Sequence, residues 1–316
     1  MKILVVGAGA IGGYYGARLL QADVDVTFLV RPKRAGLLAT QGLRVRSELG
    51  DFDAPVRTIQ REQLHTGFDL IVLSCKSYDL GAAMDDIQAA VGHDTRILPF
   101  LNGLSVYDEL DARFGRDRVL GGVAQIATML DKEGVIRHFG THDAVIVGAR
   151  SVATEQAAAD FHALISRTRG TRSLSTDVTR ALWNKWVTLA SGAMMNCLMR
   201  GTIADILSTE NGADLMRQAM AECRSVANAQ GHSLSDEEVR LLEARLLDKG
   251  SDWAASMMRD IAHNAPRLEA KAIVGDMIVR ASRHGLDVPL MRIAYCHLQV
   301  YELQQAAGTV AAVFAR

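Results

Sequence analysis

The sequence is poor in features that mark secreted and membrane proteins. Its 316 residues include only four cysteines, and none of them forms a CxxC pair. This usage fits a reducing, cytoplasmic compartment better than a disulfide framework. No apolar run reaches the roughly eighteen residues that a membrane-spanning helix needs. The apolar N-terminus is broken by glycines and lacks a cleavage site, which argues against a signal peptide.

An excess of charge of one sign is also missing. The formal net charge is -1, and acidic and basic residues are interspersed, so we expect neither nucleic acid nor an anionic membrane as a partner. The sequence contains no repeat of fixed period, no low-complexity linker and no G-x-S-x-G nucleophile elbow. The expected partners are small molecules or other subunits, and a homodimer is compatible with this expectation.

Strand-like and helix-like segments alternate through the first 176 residues. The runs MKILVVGAG, VDVTFLV, DLIVLSCKS and RILPFLNG read as buried strands, and helical spacing separates them. Such alternation predicts a mostly parallel sheet with helices on both faces. Shorter runs between about residues 119 and 148 indicate antiparallel additions at the edge of that sheet.

The second half of the chain reads as helices. Asp177 is a candidate helix cap, Ser235 and Glu238 form a capping box, and Gly231 and Gly285 follow the ends of periodic segments. The predicted fold is therefore α/β, with an N-terminal Rossmann-type doubly wound sheet over residues 1–176. A C-terminal all-helical domain is predicted over residues 177–316.

The segment from Gly7 to Gly12 has the spacing G-x-G-x-x-G. It follows a strand and opens a helix, which is the context that a dinucleotide site requires. In this interpretation Gly7 makes the tight turn, Gly9 lets the pyrophosphate approach the backbone, and Gly12 permits close helix packing. The alternative is a glycine-rich turn without a ligand.

A basic run stands where the ribose of a dinucleotide is expected. NAD sites usually have an acidic residue about twenty residues past the glycines, whereas this chain has Arg31, Lys33 and Arg34 near that position. Cations favour a 2′-phosphate, so we predict NADPH (NADP when oxidised) as the cofactor. The alternative is a solvated basic loop.

Lys76 and Asn102 end two of the predicted strands. The carboxyl ends of parallel strands form the rim where ligands bind, so both side chains are candidate contacts of cofactor and substrate. A polar residue at a strand end is otherwise only the start of a loop.

Lys185 lies in the segment ALWNKWVTLASGAMMNC, whose apolar residues recur at helical spacing. An ammonium group close to such a stripe is costly to desolvate unless it is paired or used. The alternative is a surface lysine whose aliphatic stem covers apolar area. His138 and His142, in contrast, flank a glycine in a strand-and-turn segment, and we expect no metal site there. Arg167, Arg169 and Arg172 are expected to form a solvated loop.

These residues together resemble ketopantoate reductase, the 2-dehydropantoate 2-reductase family, through nearly the whole chain. The resemblance is carried by the glycine turn with Arg31, by Lys76, by Asn102 with Gly103, by Leu182-Trp-Asn-Lys185, by Ser256 and by Glu269. It implies an NADPH-binding Rossmann domain followed by a helical domain. It also implies reduction of 2-dehydropantoate to pantoate, a step of pantothenate biosynthesis.

The resemblance assigns roles to individual residues. Lys185 is the implied general acid, Glu269 its supporting carboxylate, and Ser256 the contact of the substrate carboxylate. A lysine near the carbonyl oxygen stabilises and protonates the alkoxide that hydride transfer creates. A helix-start carboxylate that complements the dipole is the alternative for Glu269. The predicted cofactor-binding residues are Gly7, Ala8, Gly9, Ala10, Ile11, Gly12, Arg31, Lys33, Lys76 and Asn102. The predicted substrate-binding residues are Lys76, Asn102, Lys185, Asn196 and Ser256.

One departure from the family pattern concerns the substrate. Family members usually have asparagines one and two helical turns after the lysine, where this chain has Leu189 and Ala193. Asn196 lies on nearly the same helical face as Lys185, but about 16 Å further along the axis. An apolar wall holds a substrate hydroxyl poorly. The alternatives to a ketopantoate reductase are therefore a related reductase of another 2-oxo acid and, in a different class, a non-catalytic NADPH-binding redox sensor.

Overall fold

The computed structural model describes residues 1–308. The chain divides into two compact units: Met1–Leu101 with Val106–Leu182 forms the first, and Asn102–Ser105 with the chain from Trp183 onward forms the second. The sequence places a boundary at residue 176, just before a long helix, whereas the division by contacts lies inside that helix. The short segment Asn102–Ser105, which carries one candidate site residue, belongs to the second unit although it is surrounded in sequence by the first.

The first unit contains a five-stranded parallel sheet of the Rossmann type. In sequence order its strands are β1 (Lys2–Val6), β2 (Asp25–Leu29), β5 (Arg57–Ile59), β6 (Leu70–Leu73) and β7 (Arg96–Pro99). Their spatial order is β5-β2-β1-β6-β7, with every neighbouring pair parallel. Apart from the exposed Lys2 at the start of β1, the central strands β1 and β6 are buried, which explains their continuous apolar sequences. The predicted parallel sheet is confirmed.

A second sheet corrects the prediction of edge additions. It consists of β3 (Leu43–Arg46), β4 (Phe52–Ala54), β8 (Gly121–Leu130), β9 (Val135–Gly148) and β10 (Thr171–Ser175). The hairpin of β8 and β9 is antiparallel as expected, but β9 also pairs in parallel with β3 and β10. The hairpin therefore builds a separate mixed sheet, because β9 is long enough to pair with several partners along its length.

Helix α1 (Ala10–Gln21) contacts strands of both sheets and is buried along most of its length. The other helices of the first unit are α2 (Pro32–Gln41), α3 (Leu80–Ile87), α4 (Ser105–Phe114) and α5 (Glu155–Ile165). Their apolar faces point into the protein: α4, for example, buries Tyr107 and Leu110, and α5 buries Phe161 and Ile165.

Arg172 is not part of a solvated loop, contrary to the sequence-based expectation. Its side chain is 2% exposed and forms a two-pronged ion pair with Asp143, whose side chain is fully buried. The hydroxyls of Tyr14 and Tyr15 donate to the same carboxylate, each at 2.9 Å. The prediction was wrong because the partners of Arg172 lie in other elements, where local sequence gives no sign of them. Arg167 and Arg169 are exposed, as expected.

The described part of the second unit is helical. It contains most of α6 (Val178–Met199), then α7 (Ile203–Leu207), α8 (Gly212–Ala229), α9 (Asp236–Leu246), α10 (Ser256–Ala262), the π-helical turn Lys271–Gly275, α11 (Asp276–Arg283) and α12 (Pro289–Ala306). The predicted caps are confirmed: Asp177 accepts from the Arg180 amide, and Ser235 and Glu238 form a capping box. Within residues 1–308, no helix is both long and apolar enough to cross a bilayer.

Candidate active site

The turn from Gly7 to Gly12 links β1 to α1. Gly7 has φ +91°, a left-handed conformation that disfavours any other residue. A Cβ on Gly12 would stand 2.1 Å from Ser74 Oγ and 2.3 Å from the Gly7 carbonyl oxygen, whereas a Cβ on Gly9 would meet nothing within 4 Å. Gly12 is therefore required by internal packing, and Gly9 faces open space. This distribution fits a turn that a pyrophosphate approaches from the side of Gly9.

The start of α1 is suited to an anion. Gly9 is the N-cap, and no side chain caps the first turn. The first backbone N–H groups of a helix have no partner within the helix, and the helix dipole favours negative charge at this end. Ala10 and Ile11 open the helix and are half-buried. The backbone here fits the phosphates of a dinucleotide.

The three cations after β2 differ in their surroundings. The Arg31 side chain is 76% exposed and lies 3.5 Å from the Asp79 carboxylate. Lys33 is exposed as well. Arg34 instead donates from Nε to the Ala8 carbonyl oxygen at 3.1 Å and from Nη1 to the Gly134 carbonyl oxygen at 3.2 Å. Arg31 and Lys33 are thus accessible to a phosphate, whereas Arg34 is already engaged by the protein.

Lys76 lies three residues beyond the end of β6 and precedes the short 3₁₀ turn Ser77–Asp79. It is half-buried. The strand is shorter than its sequence suggested, but the side chain still follows the carboxyl end of a parallel strand. This is the end at which such sheets bind ligands.

Lys185 lies on α6 in the second unit and is half-buried. Burial lowers the pKa of its ammonium group, while attraction to the Glu269 carboxylate opposes this shift, and the resulting pKa is about 8. A surface lysine would keep its ordinary value near 10.5. The side chain is therefore poised to give up a proton near neutral pH.

Glu269 is 4% exposed and directly precedes the helical segment that begins at residue 270. The amide Nδ2 of Asn102 donates to its carboxylate at 3.4 Å. Three residues from distant parts of the sequence, Asn102, Lys185 and Glu269, thus interact through one carboxylate. Asn102 and Lys185 were candidate site residues from their places in the sequence pattern, and the family resemblance added Glu269. The second unit contains all three.

Two further contacts hold this cluster, and sequence reasoning missed both. The indole Nε1 of Trp186 donates to the carbonyl oxygen of Ile273 in the π-helical turn at 3.0 Å. Gly103 has φ +85°, and a Cβ there would lie 2.4 Å from the Ala272 carbonyl oxygen. The glycine directly after Asn102 was the only sequence signal of that close approach. π-Helical turns are rare and often occur at functional sites.

Asn196 does not have the position expected of a substrate contact. It is fully buried, donates to the Gly201 carbonyl oxygen at 2.7 Å and accepts from the Ala255 amide at 3.1 Å. Its amide is therefore used to anchor the backbone just before α10. Ser256, the first residue of that helix, is half-buried. Asn196 thus supports the segment that carries Ser256.

Leu189 and Ala193 follow Lys185 by one and two turns of α6. Leu189 is half-buried and Ala193 is fully buried. Residues at this spacing lie on the same face of a helix, so the helix face next to the lysine is apolar at these two positions. It offers no side-chain hydrogen bond at these two positions.

Comparisons with known proteins identify relatives over the whole length. The family model described as "Ketopantoate reductase PanE/ApbA" matches residues 3–167, and its C-terminal counterpart matches residues 177–302. The "Uncharacterized oxidoreductase YkpB" of Bacillus subtilis (strain 168) is 31% identical over 310 residues, which cover 96% of this chain and 100% of the relative.

Solved structures agree with these matches. 2-Dehydropantoate 2-reductase from Geobacter metallireducens GS-15 is 28% identical, with a TM-score of 0.85 and coverage of 95% of this chain and 99% of the other. D-mandelate dehydrogenase, solved with NADH and anilino(oxo)acetate, has a TM-score of 0.87 at 20% identity, covering 97% of this chain and 99% of the other. The latter likeness shows the fold alone. Since the two family models together account for most of its length, the chain belongs to the ketopantoate reductase family.

Proposed function

We propose that the chain is an NADPH-dependent reductase that converts a small 2-oxo acid into the 2-hydroxy acid, with Lys185 as general acid. The observation that carries the proposal is the lysine itself. Its pKa is lowered to about 8 by burial, and it is attracted to a carboxylate that is otherwise shielded from solvent. An amine that titrates near neutral pH is matched to proton transfer under physiological conditions.

The proposed chemistry needs a proton donor at one oxygen atom. The bound dinucleotide would supply a hydride to the carbonyl carbon, and the carbonyl oxygen then carries the negative charge. Protonated Lys185 donates a hydrogen bond to that oxygen and transfers its proton there, which leaves a neutral amine and a hydroxyl group. The amine regains a proton from solvent before the next turnover. A positioned donor of this kind stabilises the developing charge in the transition state.

Glu269 and Asn102 hold the donor in place. The Glu269 carboxylate favours the charged form of Lys185, which keeps the pKa from falling further. Asn102 donates to the same carboxylate and limits its rotation. We assign the substrate carboxylate to Ser256, a contact that rests on the family resemblance.

The choice of NADPH rests on charge. Arg31 and Lys33 are exposed cations next to the second strand, and neither needs to leave a buried partner in order to meet a 2′-phosphate. The D-mandelate dehydrogenase of similar fold was solved with NADH, so NADH is the alternative to be compared. Lys76 is proposed to contact the bound ligands from the end of β6.

Two substrates are proposed. 2-Dehydropantoate is favoured by the family, and pantothenate biosynthesis would be the pathway. A 2-oxo acid without the pantoate hydroxyl is favoured by Leu189 and Ala193, because apolar groups on this helix face provide no hydrogen bond to a hydroxyl. Apolar substrate side chains would gain from the same surface.

The test follows the oxidation of NADPH and of NADH with a panel of 2-oxo acids. The panel includes 2-dehydropantoate, its analogue without the hydroxyl, and linear and aromatic 2-oxo acids. We expect substrate-dependent oxidation that is faster with NADPH. Tight binding of NADPH with no oxidation in the presence of any 2-oxo acid would contradict the proposal and favour a redox sensor.

A further inference from the structure

Arg34 connects two loops of the first unit that are far apart in sequence. Its guanidinium donates to the carbonyl oxygen of Ala8, inside the glycine turn, at 3.1 Å. A second nitrogen donates to the carbonyl oxygen of Gly134, between β8 and β9, at 3.2 Å. One side chain thus ties the loop after β1 to a tight turn of the second sheet.

The turn that receives the second hydrogen bond is itself stiff. The Asp131 carboxylate accepts from the amides of Glu133 and Val135, and Gly134 has φ +78°. A Cβ on Gly134 would stand 2.8 Å from Nη1 of Arg34. Glycine at this position lets the guanidinium approach the backbone, and the turn gives Arg34 a fixed anchor.

This engagement separates Arg34 from the two cations beside it. Its Nε and Nη1 are used by backbone carbonyls, and its Nη2 is out of contact with solvent. Arg31 and Lys33 are exposed. A 2′-phosphate would therefore reach Arg31 or Lys33 without disturbing any buried contact, whereas it would have to break existing hydrogen bonds to reach Arg34.

The geometry of the peptide group gives this contact a consequence for ligand binding. The carbonyl of Ala8 and the amide of Gly9 belong to one planar trans unit, in which C=O and N–H point in opposite directions. Holding the oxygen on the side of Arg34 therefore fixes the direction of the Gly9 N–H. A positively charged donor on the oxygen also polarises the peptide group and strengthens its N–H as a donor.

We propose that Arg34 is a positioning residue for the dinucleotide: it sets the orientation of the Ala8–Gly9 peptide and thereby the affinity for the pyrophosphate. The inference rests on the proposed dinucleotide site. A positioning role for Arg34 can be distinguished by measurement from a direct contact between Arg34 and the 2′-phosphate. The pyrophosphate is common to NADPH and NADH, so the contribution of Arg34 is the same for both, whereas a contact to the 2′-phosphate serves NADPH alone.

The experiment measures Kd for NADPH and for NADH by isothermal titration calorimetry, without substrate. Arg34→Met removes the donors and keeps the aliphatic stem. We expect Kd to rise for both dinucleotides by a similar factor, roughly tenfold, as for the loss of one hydrogen bond to a charged group. A rise for NADPH alone would make Arg34 a phosphate contact, and no rise for either would show that the peptide is held without it. Both results overturn the proposal.

Three further variants sharpen the result. Arg34→Lys keeps the charge but replaces the two donor nitrogens that bond Ala8 and Gly134 with a single nitrogen on a flexible stem. We expect it to weaken the binding of both dinucleotides, and it would carry the test if Arg34→Met failed to fold. Retention of full affinity in this variant would overturn the proposal. Arg31→Met should raise Kd for NADPH more than for NADH. Lys132→Met removes an exposed cation from the Gly134 turn and should leave both values unchanged.

Calorimetry also distinguishes a misoriented Ala8–Gly9 peptide from partial unfolding of the Arg34 variants. A partly unfolded variant binds with lower stoichiometry, whereas a misdirected peptide lowers the affinity of a fully folded protein. Failure of the wild-type protein to bind either dinucleotide would refute the proposed function itself. Normal wild-type binding combined with an unchanged Arg34→Met variant would refute only the role of Arg34.

Discussion

The two units each contain a cation that interacts with a buried carboxylate, and the two pairs behave differently. In the first unit Arg172 and Asp143 form a two-pronged ion pair, which the hydroxyls of Tyr14 and Tyr15 complete. In the second unit Lys185 is attracted to Glu269, yet its pKa falls to about 8. One pair is a permanent structural contact, and the other contains a proton that can leave.

The difference follows from the chemistry of the two cations. A guanidinium stays charged at any pH a protein meets and presents a planar fork that matches a carboxylate. An ammonium is a point charge whose pKa responds to burial. Burial, together with the nearby negative charge of Asp143, raises the pKa of Tyr15 well above its usual value, so that hydroxyl stays a donor. A cation that interacts with a buried carboxylate is thus chemically silent or reactive according to whether it is a guanidinium or an ammonium group.

The largest effect is expected from Lys185→Met, which removes the titrating amine. We expect kcat to fall about a hundred- to ten-thousandfold, the usual contribution of a general acid. Kd for NADPH should change little, because the glycine turn is in the other unit. Lys271→Met, at an exposed lysine two residues after Glu269, is the control for the loss of one charge. Undiminished turnover in Lys185→Met would contradict the assignment.

Arg172→Met should act on stability. Removing one partner of a buried pair leaves the Asp143 carboxylate without its cation, which typically costs about 3–5 kcal/mol of unfolding free energy. Denaturant unfolding measures this loss, and Arg167→Met, at an exposed neighbour, should change stability by no more than about 0.5 kcal/mol. The pH at which the folded enzyme loses activity should stay the same. A shifted pH profile in Arg172→Met would contradict the division of roles.

Glu269→Gln is expected to shift the pH dependence. The carboxylate raises the pKa of Lys185, so neutralising it should move that pKa below about 8. Reduction needs the protonated amine, and kcat/KM for reduction should therefore decline at a lower pH than in the wild type. The reverse oxidation needs the neutral amine and should begin to rise at a lower pH. A profile that stays in place, or moves upward, would show that Glu269 does not act through this charge.

Leu189→Asn should have the smallest effect and bears on the substrate. An amide at this position offers a hydrogen bond to a hydroxyl-bearing substrate. We expect kcat/KM for 2-dehydropantoate to rise relative to its analogue without the hydroxyl, by about tenfold. The two substrates are compared in the same assay with the variant and the wild type. An unchanged ratio would place the substrate side chain elsewhere.

Local signals in the sequence were enough to predict the parallel sheet of the first unit and the ends of several helices. The G-x-G-x-x-G spacing, the apolar strands and the capping box at Ser235 each depend on residues a few positions apart. The helical spacing of the apolar residues around Lys185 is also a signal within a short stretch of sequence. These features follow from backbone geometry and from hydrophobic periodicity, both of which can be read from a short window.

Contacts between distant segments could not be predicted in this way. Arg172 looked like part of a solvated loop because Asp143, its partner, is 29 residues away. Asn196 looked like a substrate contact because its position on α6 gave no sign of Ala255, 59 residues further on. Arg34 stood in a basic run whose members are equivalent in sequence, and only the fold distinguishes them.

Because of the π-helical turn after Glu269, the position of the Glu269 carboxylate relative to Lys185 depends on the number of residues in that turn. A π-helical turn contains an extra residue compared with an α-helical one, and each residue rotates a helix by about 100°. Deleting one residue from Lys271–Gly275 would let this segment continue as an ordinary α-helix. Glu269 would then turn by about a quarter of a circle relative to α11, away from Lys185, although no side chain of the pair had been altered.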